Sequence, residues 1–215
     1  RGEYLYTANG KEGLRVFDVA NTGNKGFSEK TVTAPVSPLG QRTYVKTKQA
    51  TCVALPTNMP IDPTRKVIPE NQEQPWHPLY HYAYVTDREE GLLLVNVDTL
   101  ANGNPRDNFL KRALTFNPDG ILNGSNYLTI AGNYVYITAD TGLVVVGIDN
   151  PLQPKVIKVI GAPFLKNPKV VAVQFRYAFV GDREGLKVID VTFPENPTPV
   201  AKAFIPVKEL HDIYL

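Results

Sequence analysis

The chain has 215 residues, a formal net charge of +2, 43% apolar residues and 20% charged residues. These values are typical of a folded soluble protein, because a disordered chain would carry fewer apolar residues or a larger net charge. The small and scattered charge gives no reason to expect a nucleic-acid partner or an anionic membrane. Cys52 is the single cysteine, which excludes an intramolecular disulfide, a cysteine-based zinc site and covalent haem attachment within this chain. No apolar run reaches the roughly 18 residues of a membrane span.

A two-strand motif occurs four times along the chain. Each copy starts at a tyrosine, has a glycine eight or nine residues later, and places Asp, Asn or Gly five residues after that glycine. Aromatic and β-branched residues predict two strands, and the glycine predicts a tight turn with positive φ. The motif therefore predicts an antiparallel hairpin. The copies occupy residues 4–19, 82–97, 134–148 and 177–191.

The second strand of the hairpins is apolar on both faces, as residues 92–95 and 144–146 illustrate. A strand of this kind lies in a sheet that is covered on both sides. The best helical candidate, residues 108–114, is only two turns long, so helices cannot supply the cover. We therefore expect other sheets to cover each sheet.

Further strands flank each hairpin and complete a four-stranded unit. They are predicted upstream at 50–54, 127–131 and 170–173, downstream at 155–160 and 199–205, and as a last inner strand at 209–215. The units span about residues 1–46, 47–120, 121–166 and 167–206, and the next inner strand begins within 207–215. The predicted fold is an all-β β-propeller of four-stranded antiparallel blades, with about four blades that form a closed ring or part of a larger propeller.

Residues 185–191, followed by Asn196 and Pro197, resemble the core pattern of the LVIVD-repeat β-propellers of bacterial and archaeal surface proteins. Residues 211–213 resemble the start of a next repeat. The resemblance covers nearly the whole chain, apart from an insertion at about 55–80.

The chain departs from the repeat at Asn96 and Gly147, where the pattern prefers Asp. Any role of that Asp is therefore not uniform among the repeats. The resemblance implies an extracytoplasmic, non-enzymatic protein, in some members attached to multihaem cytochromes or other surface modules. It implies no defined ligand.

Two long connections are predicted on one face of the second unit. Residues 55–80 join its first and second strands, residues 98–107 join its third and fourth, and alternating strand directions place both at the same end. Connections well beyond about 12 residues are uncommon in compact domains unless they bind something or are disordered. Six prolines stiffen the first one.

We expect this arm to dock a partner protein through buried aromatic contacts. The alternative is that the arm folds back on its own propeller. The candidate partner-binding residues are Arg65, Trp76, His77, Tyr80, Asn102 and Arg106.

Two charged turns, residues 87–91 and 182–185, share the pattern Asp-Arg-Glu before glycine, and Asp140 takes the corresponding place in the third unit. Such turns could bind calcium or a basic partner. The favoured interpretation is structural, because Asp side chains accept hydrogen bonds from backbone N–H groups in turns.

Catalytic and metal-binding signatures are weak. His77 and His81 flank Pro78, so their spacing does not place both rings on one helical face, and we expect partly exposed or hydrogen-bonded side chains. No nucleophile elbow, phosphate loop or zincin motif is present. The rival hypothesis is a metal-dependent enzyme with its site in the central channel around His211 and Asp212.

Together with this resemblance to the LVIVD-repeat propellers, which implies export and a place at the cell surface, the sequence predicts a non-catalytic propeller. It would act as a structural scaffold or protein-binding module, without a cofactor or metal. Its partner would be a protein, in the narrower hypothesis a multihaem cytochrome assembly. The acidic turns, the number of blades and the identity of the partner are left open at this point.

Overall fold

A computed structural model of the chain describes residues 4–18, 42–56, 81–100, 108–208 and 210–214. These residues form four antiparallel sheets, one of three strands (β1–β3) and three of four strands (β4–β7, β8–β11 and β12–β15). The strands are β1 Tyr4–Ala8, β2 Leu14–Asp18, β3 Tyr44–Val45, β4 Ala50–Ala54, β5 Tyr82–Asp87, β6 Gly91–Asn96, β7 Lys111–Phe116, β8 Tyr127–Ala131, β9 Tyr134–Ala139, β10 Gly142–Gly147, β11 Lys155–Ile160, β12 Val170–Gln174, β13 Tyr177–Asp182, β14 Gly185–Asp190 and β15 Thr198–Pro206.

The predicted hairpins are confirmed, and the repeated glycine is required by its surroundings. Gly142 and Gly185, which begin β10 and β14, have φ of 133° and 145°, a region that favours glycine. A Cβ at Gly185 would lie 2.2 Å from the carbonyl oxygen of Ile205, in the neighbouring fourth strand. The glycine therefore lets the fourth strand pass close to the hairpin turn.

Apolar side chains fill the spaces between successive sheets, as the double-sided strands predict. In β6, Leu93 and Val95 pack toward the first sheet, while Leu92 and Leu94 pack toward the third. All four are fully buried. Each fully buried leucine or valine contributes roughly 1.5–3 kcal/mol relative to an exposed one. The third and fourth sheets share a further core cluster built in the same way, which includes Val145.

The four sheets are consistent with four propeller blades. The innermost strands lie side by side, because β1 contacts β4, β4 contacts β8 and β8 contacts β12. By its motif β1 corresponds to the second strand of the other sheets. Within the described residues no strand pairing joins the fourth sheet to the first, so these residues do not show a closed ring.

Residues 108–114, the best helical candidate, stand where the other units have a strand and contain the start of β7, because pairing with β6 outweighs the helical preference of these residues. The inner strand predicted at 209–215 is not formed by residues 210–214. These residues, here called the tail, instead make side-chain contacts, with Leu210 against Gly181 and Asp212 near Tyr127.

The two ends of the sheets differ. The turn end carries the turns within the hairpins and the connections from each fourth strand to the next sheet. These parts are joined across sheets, since Gly10 pairs with Ala50 and the Gly124 N–H donates to the Arg88 carbonyl. The opposite end, here called the connection end, carries the links between first and second strands and between third and fourth strands. In the described part of the chain, no helix is both long and apolar enough for a membrane span.

Candidate functional site

The two long connections leave the second sheet at its connection end. Strands β4, β5, β6 and β7 run antiparallel in chain order, so the links after Ala54 and after Asn96 start at the same end. The six predicted partner-binding residues fall within these links. Arg65, Trp76, His77, Tyr80, Asn102 and Arg106 all lie outside the described residues.

A side-chain clasp ties the bases of the two connections together. His81 Nδ1 lies 2.6 Å from Asp98 Oδ1, and the Asn96 amide donates to Asp98 Oδ2 at 3.1 Å. The Asp98 N–H in turn donates to Asn96 Oδ1 at 3.0 Å. The His81 side chain is 37% exposed, so the expectation of a partly exposed or hydrogen-bonded side chain is confirmed for His81, whereas His77 lies outside the described residues.

Similar clasps occur in the third and fourth sheets. The residue directly before the first tyrosine of the hairpin bonds to an acid that follows or ends the third strand. Asn133 donates to Asp149 Oδ1 at 2.8 Å, and Arg176 Nε donates to Asp190 Oδ2 at 3.1 Å. The sequence reasoning missed this clasp, although the polar residue before each tyrosine was its visible signal.

The base of the second connection is also fixed to the first sheet. The Arg42 N–H donates to the Asn108 carbonyl at 2.9 Å, and the Asn108 amide donates to the Tyr4 hydroxyl at 3.1 Å. The Arg42 guanidinium lies 4.4 Å from the centre of the Phe109 ring. Phe109 N–H also donates to Thr99 Oγ1 at 3.1 Å. Both connections therefore start from bases that are held by hydrogen bonds.

The acids of the charged turns, Asp87 and Asp182, are buried and serve the turns themselves. Asp87 Oδ1 accepts from the N–H groups of Glu89 and Glu90 at 2.8 and 3.0 Å, and Oδ2 accepts from Gln49 N–H. Burial raises the pKa of Asp87, but the neighbouring Thr47 side chain and the hydrogen bonds from these three amides outweigh it, so that the pKa lies below its ordinary value.

Asp182 repeats this arrangement and adds a buried lysine. Its Oδ1 accepts from Glu184 N–H at 2.8 Å, and its Oδ2 accepts from Lys166 N–H at 2.8 Å. Lys187 Nζ donates to Asp182 Oδ2 at 2.8 Å, to Glu184 Oε2 at 2.6 Å and to the Phe164 carbonyl at 2.7 Å. Hydrogen bonds from Lys166 and Lys187 lower the pKa of Glu184 to about 2. The geometry matches the favoured structural interpretation of both turns.

The third sheet does not contain the corresponding acid. Strand pairing sets Asp87 opposite Gly91 and Asp182 opposite Gly185, and in the third sheet Ala139 is opposite Gly142. The predicted equivalence of Asp140 is therefore wrong. Asp140 lies one residue later, within the two-residue turn between Ala139 and Gly142, where it is exposed.

The central residues of the rival enzyme hypothesis lie on the tail. Asp212 Oδ1 accepts from the Tyr127 hydroxyl at 3.3 Å and from Ile213 N–H at 2.8 Å. Burial raises the pKa of the nearby Cys52, which favours the neutral thiol. Over the described ranges, no group of three or more His, Cys, Asp and Glu side chains is arranged to hold a metal ion.

The repeated hairpin, its glycine and its strand register are the features on which a family comparison rests. The family model of the LVIVD repeat matches the chain at residues 1–33, 125–159 and 168–202. The chain contains LVIVD repeats. No relative was found among curated proteins.

The second sheet lies outside the three matched segments. It nevertheless has the strand order of the third and fourth sheets, which the family model matches, and Tyr82 pairs with Asn96 as Tyr177 pairs with Asp190. The structure thus adds a fourth unit of the same design, the one from which the connections at 55–80 and 98–107 leave.

Proposed function

We propose that this LVIVD-repeat domain is a non-catalytic, exported scaffold that binds a partner protein through the connection end of its second sheet. The observation that carries this proposal is that the connections at 55–80 and 98–107 leave one sheet at the same end. A rigid frame that presents loops from one end is a common arrangement for recognition.

The bases of the two connections support this proposal. The His81–Asp98 clasp joins them, and the contacts of Asn108 and Arg42 fix one base to the first sheet. Fixed bases limit the freedom of the connections before binding, and this lowers the entropic cost of association. The proline content of residues 55–80 acts in the same direction.

The charged side chains of the turn end support a non-catalytic role. Asp87, Asp182 and Lys187 are buried and engaged with backbone groups and with each other. These groups stabilise turns, and this use accounts for their position without a substrate.

Deletion of the first connection tests the proposal. Residues 57–78 are replaced by an Asn-Gly turn, which suits a hairpin between adjacent antiparallel strands. We expect loss of partner capture in affinity isolation from the native cells, with the thermal unfolding midpoint almost unchanged. The matched control is Phe175→Ala, since Phe175 is 94% exposed on the link between β12 and β13 at the same end of the fourth sheet.

The control must capture the same partner as the wild-type chain. Unchanged capture by the deletion variant would contradict the proposal. The narrower hypothesis, in which the partner is a multihaem cytochrome, predicts haem absorbance in the captured complex that disappears on dissociation. Export is tested separately, by accessibility of the protein to added protease in intact cells.

A further inference from the structure

A cavity of about 380 Å³ lies at the turn end of the molecule. Its walls are the connections into the third and fourth sheets, the turn between β13 and β14, and the residues around the tail. Ligand sites typically have volumes of roughly 300–1,000 Å³, so the cavity has the size of a small-molecule site.

Positive charge is in excess around this cavity. Lys169, Arg183 and Lys208 line it with exposed side chains, and in the described part of the chain none of them forms an ion pair with an acid. The lining acid, Asp182, is already compensated by Lys187 and by backbone N–H groups. Like charges gathered around one concave site repel each other and attract an anion.

The wall formed by the tail is positioned by a specific residue of the fourth sheet. Gly181 occupies the strand position that Thr86 and Thr138 occupy in the second and third sheets. A Cβ at Gly181 would lie 2.4 Å from Leu210 Cδ2, so the glycine is needed for Leu210 to approach. The Tyr127–Asp212 hydrogen bond holds the tail two residues further on. The cavity therefore has a fixed apolar wall beside its cationic one.

We propose that this cavity binds a small organic anion that carries phosphate or carboxylate groups. The planar guanidinium of Arg183 matches either group with two parallel hydrogen bonds, and Lys169 and Lys208 add positive charge. Asn126 and Asn167 line the same cavity and supply amide N–H donors. Leu210 contacts the apolar part of the ligand.

This site lies at the end opposite the proposed partner-binding connections. It goes beyond the proposed function and does not depend on it. Deletion of residues 57–78 removes none of the described residues that line the cavity. The two proposals can therefore fail separately.

Calorimetric titration of the purified chain tests the site, with pyrophosphate as the phosphate probe and citrate as the carboxylate probe. We expect saturable binding at one site for at least one probe. The probe that binds more tightly identifies the group that the cavity prefers. Binding should weaken as sodium chloride is raised, because salt screens exposed charges.

The decisive variant is the double substitution Lys169→Gln and Arg183→Gln. Its affinity should fall about tenfold or more, since two charge-assisted interactions are lost. The matched control is Arg88→Gln. Arg88 follows Asp87 as Arg183 follows Asp182 and is exposed, but it does not line the cavity. Its affinity should equal that of the wild type.

Three results would overturn the proposal. They are no saturable binding of either probe at millimolar concentration, equal affinity in the double variant, and an equal loss in Arg88→Gln. Circular dichroism and the thermal midpoint check that the double variant is folded. If it is not, Lys208→Gln replaces it, because Lys208 is exposed and follows the last strand. Unchanged affinity in that folded variant would also overturn the proposal.

Discussion

The second and fourth sheets close their hairpins with the same Asp-Arg-Glu pattern but obtain the compensating charge from different strands. In the fourth sheet, Lys187 of the third strand bonds to Asp182 and Glu184. In the second sheet the position of Lys187 is taken by buried Leu93, and Arg112 of the fourth strand bonds to Glu90 at 2.6 Å. In both sheets a cation compensates an acid of the turn, but the cation comes from the third strand in the fourth sheet and from the fourth strand in the second sheet.

This comparison shows what the repeat conserves within the chain. The buried Asp and the glycine keep their places, because both make contacts with the backbone of the turn. The cation changes place, because any side chain that reaches the acids from a neighbouring strand suffices. In the third sheet Ala139 takes the position of the acid, and the strand that pairs with it, β10, is buried along its whole length.

The largest expected effect is that of Lys187→Met in the fourth sheet. The Lys187 and Asp182 side chains are 9% and 0% exposed, so the substitution leaves a buried carboxylate without its cation. The free energy of unfolding, measured with urea, should fall by about 3 kcal/mol. Lys155→Met, at an exposed position of β11, is the control and should change it by less than about 0.5 kcal/mol.

Adding Asp182→Asn to Lys187→Met should restore part of the loss, because the uncompensated charge is then gone. A loss below about 1 kcal/mol in the single variant would show that the buried pair adds little and that the two sheets are equivalent in this respect.

The next effect concerns Gly181, the residue of the fourth sheet against which Leu210 of the tail packs. Gly181→Ala forces a Cβ against Leu210 and against Val170 Cγ1, at 2.4 and 2.7 Å. We expect a loss of about 1–3 kcal/mol from overpacking, measured by thermal unfolding. In a Leu210→Ala background the loss should be smaller by at least about 0.5 kcal/mol, the size of coupling found between residues in contact. Equal losses in both backgrounds would mean that Leu210 does not pack on Gly181 in solution.

The variant Arg112→Met removes the corresponding cation of the second sheet. The Arg112 and Glu90 side chains are 29% and 18% exposed, so solvent screens this pair more than the Lys187 pair. The expected loss is about 1 kcal/mol, and it should shrink at high salt. A loss as large as that of Lys187→Met would contradict the expectation that solvent screens the Arg112 pair more than the buried Lys187 pair.

The smallest effect is a dependence of stability on acidic pH. Hydrogen bonds from Lys166 and Lys187 lower the pKa of Glu184 from 4.5 to about 2. Because the folded value is the lower one, the unfolded chain binds more protons between these values. The contribution of Glu184 is therefore complete above pH 4.5 and is lost as the pH falls toward 2. In Glu184→Gln the stability should change less steeply across this window, as followed by urea unfolding at a series of pH values. An unchanged slope would contradict the shift.

Much of the frame could be predicted from the sequence because its causes are local. The spacing of tyrosine and glycine within each hairpin predicted the strand pairs, which the structure confirms. The apolar residues on both faces of residues 92–95 predicted sheets packed on sheets, which the structure confirms. Period-two patterns and positive φ at glycine act within a few residues, so they are visible in a linear sequence.

Other features depended on neighbours that are distant in the chain. The helical preference of residues 108–114 gave way to pairing with β6. The partners of Lys187 and Arg112 and the cavity between the tail and the fourth sheet were not predicted. Each results from side chains brought together by packed sheets, and long-range packing of this kind overrides local propensity. The sequence by itself therefore determined the repeat and its hairpins, whereas only the tertiary structure decided how buried charges are paired and where a concave cationic surface forms.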